Sequence, residues 1–185
     1  MKRYRKYDFP VEQVRRFLEP GPIVLVSSAF KGERNVMTLG WHTVLAFSPS
    51  LVGTMISSGN HSFELIRRSR QCVINLPGAD LLDTVVGIGN CSGAQVDKFA
   101  RFGLDTTAAS EVQAPLLAQC PASFECRLHD AGQVKRHGFF IWEVVKAHAA
   151  KVPKRPKTVH YRGDGQFMLS GEEVSRRRLF KPEML

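Results

Sequence analysis

Short apolar runs separated by turn-forming residues fill the first half of the chain, and their spacing predicts strands. Ile23-Val24-Leu25-Val26 follows Pro20-Gly21-Pro22 and closes at the turn-like Lys31-Gly32-Glu33-Arg34. Continuous, β-branched and bounded by breakers, it reads as a buried strand. Asn35-Val36-Met37-Thr38 comes next, then His42 to Phe47 before Ser48-Pro49-Ser50, then Leu51 to Ser57. Turn signals recurring at about eight to twelve residues are the spacing of an antiparallel barrel or sandwich.

Helical spacing enters between strands. Phe63, Ile66 and Arg67 predict a helix over 61–69, with Asn60 or Ser62 available as N-cap. A second helix is expected from Asp80 through Leu81, Leu82, Val85 and Val86, weakening at Gly87 and Gly89. Cys72 to Leu76 reads as the strand between them. Residues 97–102 read as a short helical turn stopped by Gly103. The second half returns to sheet at Ala122 to His129 and at Gly138 to His148. In the latter, Phe140, Trp142 and Val144 share one face and Phe139, Ile141 and Glu143 the other. From Lys151 the chain is basic and punctuated by Pro153, Pro156, Gly163, Gly165 and Gly171. The expectation is one domain over residues 1–185, mainly β with helical insertions (α+β), in which 151–185 form a basic C-terminal extension, an arm or dimer contact.

Composition agrees with one packed domain: 185 residues, 43% hydrophobic and 23% charged, leave neither disorder nor a fibrous repeat to invoke. The net charge of +9 is concentrated near the ends, in Lys2-Arg3-Tyr4-Arg5-Lys6, in Lys151 to Lys157 and in Arg176-Arg177-Arg178. Such a surface attracts anions generally. No zinc-finger spacing and no RNA-binding aromatic strand supports a nucleic-acid partner. The four cysteines, Cys72, Cys91, Cys120 and Cys126, form no C-x-x-C pair and read as reduced structural thiols, with no metal site. Asp8, Pro10, Glu12 and Gln13 interrupt the start where a signal peptide would be apolar, and no run approaches membrane-spanning length. The expected location is the cytoplasm, with no membrane partner.

Familiar catalytic signatures are absent: no G-x-x-x-x-G-K-[ST], no H-E-x-x-H and no G-x-S-x-G. Gly87-Ile88-Gly89 does not open a helix after a strand, so it is no dinucleotide fingerprint. What stands out is a set of small polar residues at strand ends and helix starts: Asn35 and Thr38 before Gly40, Ser57 and Ser58 before Ser62, and Ser92 and Gly93 upstream of Lys98. A flavin wants this mix, since its ring edge needs amide and backbone partners and its phosphate needs hydroxyls, a helix N-terminus and a cation. Ordinary turn chemistry uses the same residues.

An ordered series of motifs carries a resemblance. Asn35-Val36-Met37-Thr38-Leu39-Gly40-Trp41, Ser48-Pro49-Ser50-Leu51-Val52, Val73-Ile74-Asn75-Leu76-Pro77, Ser92-Gly93 with Val96-Asp97-Lys98-Phe99, and Ala114-Pro115-Leu116-Leu117 with Cys120-Pro121 and Glu125-Cys126 are similar to the flavin reductase-like, FMN-binding split-barrel proteins, flavoredoxin in particular. The resemblance covers roughly residues 20–170 in order. It implies FMN at a homodimer interface, with Asn35, Met37 and Thr38 along the isoalloxazine ring. It further implies Ser57, Ser58, His61, Ser62 and Phe63 around the ribityl phosphate, and Ser92, Gly93 and Lys98 as further phosphate contacts. Met37, Phe63 and Phe99 equally suit a core, Lys98 a solvated surface, and His61 a helix cap.

Two departures bear on function. Members often carry glycine-aspartate-histidine and a later glycine before Glu-Val, where this chain has Lys135-Arg136-His137 and Trp142-Glu143-Val144. His137 and Trp142 are therefore the candidates for a substrate or nicotinamide pocket, Trp142 facing either the flavin cavity or a dimer contact. The implied function is NAD(P)H-dependent flavin reduction or flavoredoxin-type electron transfer, to free flavin or to a redox partner protein, with the flavin itself doing the redox chemistry and no protein catalytic residue assigned. The alternatives are a non-catalytic FMN-binding electron carrier or store, and a pyridoxamine-phosphate-oxidase-like enzyme.

Overall fold

The computed structural model describes residues 3–14 and 21–184. Its frame is a sheet of eight strands, every pair antiparallel. In chain order these are β1 (Lys6–Phe9), β2 (Val24–Phe30), β3 (Glu33–Leu39), β4 (His42–Ala46), β5 (Leu51–Met55), β6 (Gln71–Leu76), β9 (Ala122–Asp130) and β10 (Phe139–Ala150). The strand order is β3-β2-β6-β9-β10-β5-β4, and β1 joins at β10.

The twelve-residue β10 explains why the barrel is split. One of its edges pairs with β9 from Ile141 to Ala149, through register shifts beside Trp142 and Val144. Its other edge is divided: β5 takes Phe139 to Glu143 and β1 takes Ala147 to Ala150. Bulges bend and twist a strand, so β10 leaves β5 and turns to receive β1. The result is a split β-barrel, as expected from the motif series. Between the strands lie α1 (His61–Ser69), α2 (Leu82–Gly89), the four-residue α3 (Lys98–Arg101) and α4 (Val134–His137). Two small hairpins complete it: β7 (Thr106–Thr107) with β8 (Leu116–Leu117), and β11 (Val159–Gly163) with β12 (Gln166–Leu169).

Alternation sorts the core into an inside and an outside. Val24, Val26, Met37, Leu39, Ile74, Phe124, Phe140 and Trp142 fill the barrel. Ile23, Leu25 and Val36 point outward and are covered by Leu81, Val85 and Ile88 of the α2 region and by Phe99 of α3. Because β2 is buried on both faces, its sequence is a continuous apolar run without alternation.

Three expectations are corrected here. Residues 157–160 of the basic extension are not a free arm: the Lys157 carbonyl accepts from the Ala79 amide at 2.8 Å, the Val159 carbonyl accepts from the Ile23 amide at 2.7 Å, and the β11–β12 hairpin follows. Trp142 faces neither a flavin cavity nor a surface. It is fully buried inside the barrel, stacked on Phe140 at 5.3 Å and donating its indole N–H to Thr54 Oγ1 at 2.8 Å. Ser62 is no helix cap, since its hydroxyl is engaged with β2 and β3, as described next. Among the described residues no helix is long and apolar enough to cross a membrane.

Candidate functional site

The site forms where β5 hands over to α1. After Met55 the chain makes a turn at Ser57-Ser58-Gly59-Asn60, in which Ser57 Oγ accepts from the Gly59 amide at 3.3 Å. α1 then buries Ser62, Phe63, Leu65 and Ile66 and ends at Arg70 with φ 58°. Asn60 stands at the N-cap but its side chain makes no cap. The first amides of a helix have no intrahelical acceptor, and those of His61 and Ser62 find none elsewhere among the described residues. α3 is different: Asp97 caps it, its carboxylate accepting from Phe99 at 2.9 Å and Ala100 at 3.2 Å. One helix is closed by its own side chain and the other is left open.

Asn35 of β3 and the segment after α2 face that open end. Asn35 is buried and donates its amide to Ser62 Oγ at 2.9 Å. Gly93 lies against it: a Cβ there would stand 2.2 Å from Asn35 Oδ1, so any side chain would displace the amide. Lys98 is only 5% exposed and donates to the Ile88 carbonyl at 2.9 Å, an interaction that places its ammonium at the negative end of α2. Burial lowers its pKa, while the field of Cys91 raises it. These groups line a cavity of about 480 Å³. A second cavity of about 550 Å³, walled by Phe30, Lys31 and Arg68, adjoins it, and the two share Gly59, Asn60, His61 and Ser92. Across the second, His61 Nε2 meets Glu33 Oε1 at 2.7 Å.

A family model for the flavin reductase like domain matches residues 15–167. The chain belongs to this family. An uncharacterized protein of Archaeoglobus fulgidus is 30% identical over 135 residues, covering 73% of this chain and 76% of its own. The uncharacterized protein YddH of Escherichia coli is 29% identical over 182 residues, covering 90% and 96%. Among solved structures, an FMN-binding domain of a flavin reductases-like enzyme from Shewanella baltica superposes with a TM-score of 0.87 at 25% identity, over 95% of this chain and 99% of that one. Flavoredoxin of Desulfovibrio vulgaris gives 0.77 at 20% identity, over 85% and 90%, which speaks to the fold alone.

In this flavin reductase-like domain, Asn35, Ser58, His61, Ser92, Gly93 and Lys98 come together around the shared cleft. Ser62 supports it from behind and Ser57 shapes its turn. Other expected residues do not join them through their side chains. Met37 packs into the barrel core, Thr38 points the opposite way and donates to the Val85 carbonyl at 2.7 Å, and Phe63 meets Phe140 edge-on at 5.5 Å. His137 ends α4, exposed and outside the cleft; the next residue, Gly138, accepts from the Ile56 amide at 2.9 Å. Sequence reasoning missed Gly59, Cys91, Gln95 and Arg101 on the first cavity and Lys31 and Arg68 on the second. Arg101 had a readable signal, since it follows Lys98 by one helical turn.

Proposed function

We propose that the domain binds FMN in this cleft and works as an NAD(P)H-dependent flavin reductase or flavoredoxin-type electron-transfer protein. The residues present fit the group. The His61 amide, the Ser58 and Ser92 hydroxyls and the Lys98 and Arg101 cations suit the phosphate, because an uncapped helix N-terminus supplies both an oriented donor and a positive partial charge. Asn35, pinned by Ser62 and left room by Gly93, offers a fixed amide edge for a ring carbonyl or N–H. Bound flavin supplies the electron transfer itself, and the protein's part is to orient it and limit access. The observation that carries the reading is the uncapped end of α1 opposite the buried Lys98.

The domain is further proposed to act as a homodimer. Trp41, Leu45 and Phe47, on and beside the edge strand β4, are 69%, 44% and 56% exposed. An apolar sheet edge of this kind favours cover by a second copy. Light scattering at micromolar concentration is expected to give a dimer; a monomer contradicts this part.

The functional test is an anaerobic titration of the FMN-loaded protein with NADH and NADPH in turn. Stoichiometric bleaching of the visible flavin band, followed by turnover on added FMN, is the expected result. A band that neither nicotinamide bleaches contradicts the NAD(P)H-dependent activity while leaving FMN binding standing.

A further inference from the structure

The basic segments near the two ends of the sequence take no part in the cleft, and the fold gathers them at one end of the barrel. β1 pairs with the last residues of β10, Lys6 opposite Ala150, so Arg5 comes beside Lys151, whose Nζ stands 5.7 Å from the Tyr7 ring centroid. The chain beyond Lys151 folds back on itself. The Thr158 amide donates to Ser170 Oγ at 2.8 Å, the Ser170 amide donates to the Thr158 carbonyl at 2.9 Å, and Arg155 pairs with Glu173. Arg176-Arg177-Arg178 begins at most about 11 Å of chain further on. Arg5, Lys151, Lys154 and these three arginines form no ion pair among the described residues. Asp8 and Glu173 are already taken by Lys146 and Arg155, which leaves Asp164, Glu172 and Glu183 as the opposing carboxylates after β10. Apolar side chains stand exposed among the cations: Val152 is 78%, Leu179 79% and Phe180 56% exposed. The cleft lies elsewhere. β10 meets Met55, and with it the cleft turn, at Phe139, and meets β1 at Ala150, about 36 Å away along the strand.

We propose that this end of the barrel is a docking surface for a bilayer bearing anionic phospholipids. Headgroup phosphates neutralise the cations, Val152, Leu179 and Phe180 enter the boundary between headgroups and acyl chains, and the Tyr7 ring sits at headgroup level. The mixture of exposed aliphatic side chains with unpaired cations selects this partner. A nucleic-acid backbone takes the cations but leaves Val152 and Leu179 against phosphate and water. A second copy of the chain, carrying the same patch and the same net charge of +9, is repelled by it. A domain that lies on a bilayer needs no spanning helix. Docking by this end leaves the far end of β10, and the cleft there, clear of the bilayer, so the inference does not depend on what the cleft binds.

The experiment is co-sedimentation of the full chain with vesicles of phosphatidylcholine mixed with phosphatidylglycerol, and with vesicles of phosphatidylcholine alone. Wild type should sediment with the mixed vesicles, stay in solution beside the neutral ones, and be released as salt is raised. Two variants divide the surface. Arg176→Ala, Arg177→Ala, Arg178→Ala removes charge, whereas Val152→Ser, Leu179→Ser removes apolar contact and keeps the charge. These side chains are exposed, and a thermal melt checks that each variant is folded. The arginine variant should bind the mixed vesicles at least about tenfold more weakly, and the apolar variant at least about fivefold. Wild type that ignores the mixed vesicles, or binds both kinds equally, overturns the proposal. So does binding that the arginine variant leaves intact. Binding that the apolar variant leaves unchanged reduces the contact to general attraction of a cationic protein and overturns it too. Tighter binding of a fluorescent oligothymidylate, lost in the arginine variant, assigns the surface to nucleic acid instead. An assembly of wild-type chains that the apolar variant dissociates assigns it to a second copy, and either result refutes the bilayer.

Discussion

Trp142→Phe separates a core role for the indole from a role in the flavin cleft. Trp142 is wholly buried and Thr54, which accepts its N–H at 2.8 Å, is 1% exposed. Phenylalanine keeps a ring against Phe140 but leaves a void where the indole was wider, and it leaves the Thr54 hydroxyl without its donor. Full truncation of a buried tryptophan costs about 3–5 kcal/mol, so the partial loss of volume accounts for about 1 kcal/mol. The unpaired hydroxyl adds about 1–2 kcal/mol. The single variant should therefore lose about 2–3 kcal/mol in urea unfolding, with an unchanged m-value. Adding Thr54→Val removes the orphaned group, so the double variant should be more stable than the sum of the singles by about 1 kcal/mol. FMN affinity should stay within about twofold, because the indole is buried in the barrel and lines neither cavity of the cleft. Unchanged stability combined with altered flavin affinity or NAD(P)H oxidation would refute this reasoning and return Trp142 to the pocket.

Two further variants test the cleft and the seam of the barrel. Gly93→Ala puts a methyl 2.2 Å from Asn35 Oδ1 and should break the Asn35–Ser62 hydrogen bond, lowering FMN affinity at least about tenfold with little change in melting temperature; unaltered binding would show that Asn35 does not hold the ligand. Lys6 Nζ of β1 donates to the Leu117 carbonyl at 2.5 Å and to Ser123 Oγ at 2.8 Å, and burial lowers its pKa from 10.5 to about 8. Between those two values the unfolded chain binds the proton that the folded chain has released, so this group makes stability rise with pH across that window. Lys6→Met should flatten that rise in unfolding curves taken from pH 8 to 10.5, and an identical slope in both proteins contradicts the burial of the amine.

The legible part of the fold was the part buried on both faces or bounded by breakers. β2, β6 and β10 announce themselves because their sequences are apolar, β-branched and terminated by turn residues. β1 does not: Lys6-Tyr7-Asp8-Phe9 is a half-polar stretch whose partner β10 lies more than a hundred residues later, so only the tertiary pairing makes it a strand. The β11–β12 hairpin hides in the same way within a basic, proline-punctuated segment. Alternation identified the Trp142 face correctly but could not say which face the barrel encloses, because that depends on how β10 bends between β5 and β1.

The site divides along the same line. Ser58, His61, Ser92, Gly93 and Lys98 were readable as phosphate chemistry near a helix start and a glycine turn. Grouping Met37 with Thr38 went against a rule already available, since neighbours on a strand point to opposite faces. Lys31 and Arg68 carried no local signal; Phe30 unites them only through the packing of α1 beside the β2–β3 turn.

The central claim is that the open end of α1 and the Lys98 side of the cleft hold a phosphate on a flavin. The direct measurement is the dissociation constant of FMN against that of riboflavin, taken by flavin fluorescence on the same apoprotein, for wild type and for Lys98→Met. FMN should bind at least about a hundredfold tighter than riboflavin, with most of that preference lost in the variant, because riboflavin leaves the charged donors unpaired. Equal affinity for FMN and riboflavin in the wild-type protein would contradict it.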